Sequence, residues 1–187
     1  ILSGLVGSEM CIRDSTNSSE YVRKEWYELC DDVPHEVGPR ISWSRIPETK
    51  VSQEKIDAYN AAVYNVFAPM GAFTLRTYTY SPELKALFQQ TGHYCGVFIT
   101  AYNPHGEIQD HDTNEAANRR LLEHLKSYGV PVLDGSGADP EGKWLPEPSF
   151  FALGIDLIGA KQIGEQYRQD AVIWVEDDAI PELVLLR

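Results

Sequence analysis

Short apolar runs constrain this chain most. Val97–Tyr102 reads VFITAY, Ser149–Ile155 reads SFFALGI, Ala171–Val175 reads AVIWV and Leu183–Leu186 reads LVLL. Each is strand-sized, and segments with helical spacing lie among them. Such interleaving predicts an α+β fold, with a single compact domain, a central mixed β-sheet and helices packed on it. No apolar run reaches the roughly 18 residues of a membrane span, so no membrane partner is expected.

The remaining elements follow from local signals. Ser52 can cap a helix whose stripe is Ile56, Tyr59, Asn60 and Val63, ending by about Asn65. Phe73 to Tyr80 alternates as a strand should. Pro82 opens a helix with Leu84, Leu87 and Phe88 on its buried face, and Gly92 closes it. Asp112 or Thr113 is expected to cap a helix running to about Tyr128. Residues 131–134 read as a short strand, and 135–148 as a loop dense in Gly and Pro. A helix over about Leu157–Arg168 precedes the last two strands.

Charge narrows the partners. Sixteen basic against 28 acidic side chains leave a formal charge of -12. Nucleic-acid affinity rests largely on Lys and Arg neutralising phosphates, so no nucleic-acid partner is expected. Cys11, Cys30 and Cys95 are scattered and odd in number. They form neither a disulfide framework nor a zinc spacing, which favours a reducing, cytoplasmic setting.

Two motifs are weighed and set aside. Gly137–Lys143 has phosphate-loop spacing up to its Lys, but Trp144 stands where a Mg²⁺-binding hydroxyl belongs. His105, Asp110, His111 and Asp112 are potential metal ligands in a turn, yet match no helical metal motif. No metal and no cofactor are therefore expected.

An amide-rich constellation stands out. At 100° per residue, Asn114 and Asn118 continue the stripe of Leu121 and Leu125 rather than the solvent face of their helix. Asn103 ends the preceding strand. Glu147 and Ser149 flank Pro148 at the start of another, and Gln169 precedes a third. Asn103, Asn114, Asn118, Glu147 and Ser149 are expected to converge, with Glu147 accepting an amide or backbone N–H. Together with Gln169 they either close a buried hydrogen-bond network or line a cleft for a small polar ligand. If the cleft is catalytic, Glu147 is the general acid–base candidate of a hydrolase-like enzyme and Ser149 the nearby nucleophile, although no His completes a triad. The aromatic strand Phe73–Tyr80 leaves a protein-interaction module as the other class.

Two resemblances organise the chain. Ser8–Ser15, SEMCIRDS, resembles the conceptual translation of a transposase mosaic-end sequencing adapter, of the kind found in metagenomic assemblies. Residues 1–15 are therefore read as non-native, and removing them changes the net charge by one unit. Residues 16–52, interrupted by Pro34, Gly38, Pro39 and Pro47, read as a partly ordered arm. Residues 53–187 read as the domain. From about Ile56 to Arg187 the chain resembles the domain-of-unknown-function 3293 family of bacterial proteins. The carrying residues are Ile99–Pro104, Asn114 with Ala117-Asn118, Glu147–Phe150, Gly154 and Gln169–Ile173. The resemblance implies a compact α+β domain and no particular reaction. The family pattern often has Gly before the Gln, where this chain has Arg168.

Overall fold

A computed structural model describes residues 49–142 and 144–187. The adapter-like segment and nearly all of the proposed arm lie outside the described residues. Four helices are present among those described: α1 (Gln53–Ala61), α2 (Pro82–Thr91), α3 (His111–Ser127) and α4 (Leu157–Gln166). Seven strands accompany them: β1 (Val63–Ala68), β2 (Gly71–Leu75), β3 (Gly96–Ile99), β4 (Val132–Ala138), β5 (Glu147–Leu153), β6 (Ala171–Val175) and β7 (Glu182–Leu185). The α+β class read from the sequence is the one observed.

The strands form one sheet in the order β2-β1-β4-β5-β3-β6-β7. Every neighbouring pair is antiparallel, where a mixed sheet was expected. The reason lies in the crossovers. Helix α3 carries the chain from β3 to β4 with β5 inserted between them, and α4 carries it from β5 to β6 with β3 inserted. Each helical connection thus joins parallel strands that are not neighbours, and an antiparallel strand fills each gap.

Central β5 has both faces covered. Phe151 and Leu153 join a core with Leu84, Leu87 and Phe88 of α2 and with Tyr64, Val66, Phe73, Leu75 and Phe98. Phe150 and Ala152 join a second core with Leu121 and Leu125 of α3 and Ala160 and Ile163 of α4. Burial on two faces explains why β3 and β5 read as unbroken apolar runs. Leu84, Leu121 and Leu125 are fully buried, each worth about 1.5–3 kcal/mol in transfer free energy.

Several boundaries depart from the sequence reading. The first helix ends at Ala61, and Val63 opens β1, whose Tyr64, Val66 and Ala68 face inward. Strand β2 stops at Leu75, and Tyr78 and Tyr80 are exposed on the irregular segment beyond it. The cap of α3 is Asp110, whose side chain accepts from the Thr113 N–H, not Asp112 or Thr113. Strand β4 runs through Gly135 and Gly137, which the sequence placed in a loop. A Cβ at Gly135 would lie 2.6 Å from the Asn65 carbonyl oxygen and 2.8 Å from the Phe98 ring. Glycine is there for close packing inside a strand, not for a turn.

Candidate functional site

The geometry of the amide cluster begins with Pro148. The β3–β5 ladder runs from Gly96↔Leu153 to Ile99↔Phe150. The ladder stops there, two residues short of Pro148, which has no N–H to donate to β3. Asn118, on the inward stripe of α3, fills the break. Its Oδ1 accepts from the Ala101 N–H at 3.1 Å and its Nδ2 donates to the Pro148 carbonyl at 3.2 Å. The Thr100 hydroxyl donates to the same carbonyl at 2.8 Å. One turn earlier, Asn114 Oδ1 accepts from the Asn103 N–H at 2.9 Å, and Asn114 Nδ2 donates to Asn103 Oδ1 at 3.0 Å. Asn114, Asn118, Leu121 and Leu125 are the buried residues of α3, the stripe that the helical period predicts.

Asn103 links this network to Glu147. Its backbone is left-handed, with φ 47°, a conformation Asn tolerates better than most residues. Its Oδ1 also accepts from the Gln109 N–H at 3.0 Å, and its Nδ2 donates to Glu147 Oε1 at 2.6 Å. Ser149 is buried, and its hydroxyl donates to the Glu147 carbonyl at 2.9 Å. Gln169 Nε2 donates to the carbonyls of Tyr102 and Tyr167. The five residues expected to converge do so, and Glu147 accepts an amide.

They do not all face the same space. A cleft of about 1080 Å³ is lined by Asn103, Glu147, Ser149 and Gln169, but not by Asn114 or Asn118. Its walls come from α1, from Tyr64, Phe98, Gly137 and Ile173 of the sheet, and from the turn bearing Trp144. Burial raises the Glu147 carboxyl above its ordinary value, and the Asn103 hydrogen bond offsets part of that rise.

The sequence reading missed a second polar group in the same cleft. Asp170, at the mouth of β6, is 4% exposed. Lys55 of α1 approaches its Oδ2 at 2.7 Å, and Arg187 and His105 approach its Oδ1 at 3.2 and 3.6 Å. Lys55 also donates to the His105 carbonyl at 2.9 Å. Tyr59 of α1 lies within the fields of both carboxylates. Burial, then the charges of Asp170 and Glu147, push its phenol up to about 12, while Arg187 pulls the other way. The available signal was a charged residue, Asp170, directly before an apolar run. Its partners at positions 55, 105 and 187 are too far apart in sequence for spacing to pair them.

The four residues weighed as metal ligands take other roles or stay apart. Asp110 caps α3 and His105 turns toward Asp170. Among the described residues, no group of three or more His, Cys, Asp or Glu is arranged to hold a metal ion. No helix among them is long and apolar enough to cross a membrane.

The segment from the end of β3 to the start of β6 thus holds most of these polar residues. Residues 99–172 match the family described as Protein of unknown function (DUF3293). This is the family that the sequence resembles, and the matched stretch contains Asn103, Asn114, Asn118, Glu147, Ser149, Gln169 and Asp170. No curated protein and no solved structure gives a significant match to the chain.

Proposed function

We propose that the cleft binds a small polar ligand, with Asn103, Glu147, Ser149 and Gln169 on its polar wall and Asn114 and Asn118 holding that wall from behind. The observation that carries this reading is the placement of a largely buried carboxylate, Glu147, on the wall of a cleft of about 1080 Å³. Ligand clefts typically measure about 300–1,000 Å³ and combine apolar walls with a few convergent polar groups. Tyr64, Phe98, Ile173 and Trp144 supply apolar surface here, and Asp170, Lys55 and Tyr59 extend the polar set. Buried Cys95, a free thiol, suits the reducing cytoplasm proposed for the protein, and the acidic balance disfavours nucleic acid as the ligand.

The test is a thermal-shift screen against a panel of small metabolites, repeated on Ala58→Trp. Ala58 lines the cleft from α1 and is only partly buried, so a larger side chain occupies the space without displacing core. A stabilising compound whose effect vanishes in Ala58→Trp supports the reading. Compounds that act equally on both proteins refute it.

The raised Glu147 carboxyl favours a second reading, a hydrolase-like enzyme with Glu147 as general acid or base. Ser149 is a poor nucleophile for it, because its hydroxyl is already engaged with the Glu147 carbonyl. Hydrolysis of ester and amide substrates by the wild type, lost in Glu147→Gln, would support this reading. Equal rates in the two proteins would refute it.

A further inference from the structure

The cleft contains two carboxylates with opposite surroundings. Asp170 is met by Lys55, Arg187 and His105, all within 3.6 Å. Glu147 has no such company. Among the described residues no Lys, Arg or His pairs with it, and its side-chain partner is the neutral amide of Asn103. A carboxylate can accept about four hydrogen bonds, and the protein side chains supply one of them, leaving the rest to whatever occupies the cleft.

Taking a carboxylate out of water without an opposite charge is costly. Asp170 meets that cost from within the protein. Glu147 does not, and it lines an open cleft. Lys55 turns its ammonium to Asp170 and the His105 carbonyl and forms no ion pair with Glu147. From the rim, Glu54 and Asp57 of α1 add further negative charge. An anionic ligand would meet repulsion there, whereas a cation is drawn in. Cations bearing N–H groups do more than neutral donors, since charge-assisted hydrogen bonds are roughly twice as strong as neutral ones.

We propose that the ligand carries an organic cation with N–H donors, an ammonium or guanidinium head, seated against Glu147 with its carbon body along the apolar wall of Tyr64, Phe98 and Trp144. This rests on the reading of the cleft as a ligand site and names the class of ligand.

The experiment is calorimetric titration of the full chain with n-pentylammonium, n-butylguanidinium, tetramethylammonium, n-pentanol and pentanoate. The proteins are the wild type, Glu147→Gln and Ala58→Trp, each first checked for a cooperative thermal transition. The two N–H cations are expected to bind the wild type, and at least tenfold more weakly both Glu147→Gln and Ala58→Trp. Tetramethylammonium, pentanol and pentanoate are expected to bind at least tenfold more weakly than the N–H cations. Equal cation affinity in Glu147→Gln overturns the proposal, as does failure of both N–H cations to bind. Preferential binding of pentanol or pentanoate that Ala58→Trp abolishes overturns the cation class while the cleft stands as a ligand site. Cation binding that Ala58→Trp leaves intact places the cations elsewhere and removes support for the cleft itself.

Discussion

Asn103 divides two regions that the sequence presents as one cluster. Behind it, Asn114 and Asn118 bond the Asn103 and Ala101 N–H groups and the Gln109 and Pro148 carbonyls, and Asn114 also donates to the Asn103 side chain. In front of it, Glu147 has one side-chain hydrogen bond and faces a cleft. Polar residues that the sequence groups together therefore do different work. A satisfied network fixes packing, while a polar group with spare capacity is left able to meet something else. What separates the two is whether the neighbouring backbone is short of partners. Past Ile99 it is, because the β3–β5 ladder has ended, and Asn118 takes up the Ala101 N–H and the Pro148 carbonyl there.

The sharpest way to break this comparison is Asn118→Leu. It orphans the buried Ala101 N–H, while the Pro148 carbonyl keeps the Thr100 hydroxyl as donor, so a loss of about 1–3 kcal/mol is expected, the cost of one unsatisfied group. Urea denaturation measures it. A loss below 0.5 kcal/mol, on the scale of about ±0.5 for ordinary surface changes, would make the network dispensable.

Comparable in size is Asp170→Asn, which removes the charge shared by Lys55 and Arg187. Both cations are partly exposed, at 41% and 35%, so water recovers much of their solvation. The expected loss is about 1–3 kcal/mol, read by the same denaturation and reduced in high salt.

Arg168 sharpens the comparison from the far side of Gln169. It stands at φ 54° after α4, its N–H donating to the Glu165 carbonyl and the Gln169 N–H to the Gly164 carbonyl. That is the Schellman pattern, which glycine ordinarily closes. Arg168→Gly relieves left-handed strain of about 1–2 kcal/mol, less the greater freedom of glycine in the unfolded chain, about 0.5–1 kcal/mol. A net gain of about 0.5–1 kcal/mol is expected in thermal denaturation, with no change in the cleft.

The smallest effect is Glu147→Gln. Because the folded-state carboxyl is raised, its protonated form favours folding. That stabilisation is full below the ordinary Glu pKa and is lost as pH rises through the raised value. The neutral amide does not incur this loss. The variant should therefore equal or exceed the wild type in stability at pH 7, and its advantage should shrink on acidification through that window. Tyr59 also feels the Glu147 charge, so the measurement is the difference between the two proteins at each pH, not either profile alone.

Local rules made much of this legible. The inward stripe of α3 follows from the helical period, and the convergence of Asn103 with Glu147 from the adjacency of β3 and β5. Start signals placed α2 well, since Ser81 caps it and Pro82 opens it. What escaped depends on contacts distant in sequence. Val63 fits a helical stripe as well as a strand start, and only pairing with β2 and β4 decides for β1. Gly135 reads as a turn residue until Asn65 and Phe98 are seen pressed against it. The Asp170 cluster joins residues 55, 105 and 187 to one carboxylate, a relation that only tertiary structure creates.

Helix α1 has no buried residue between Val51 and Ala62, although both of those flanking positions are buried. It is held by polar contacts such as Lys55 to Asp170, whereas α3 is anchored by two fully buried leucines. Opening such a segment exposes little apolar surface, so its amides should exchange with solvent through excursions far cheaper than global unfolding. Passage into and out of the cleft would then follow a local equilibrium of its own. Occupancy would register first as slowed deuterium uptake across Gln53–Ala61, even where the melting temperature barely moves.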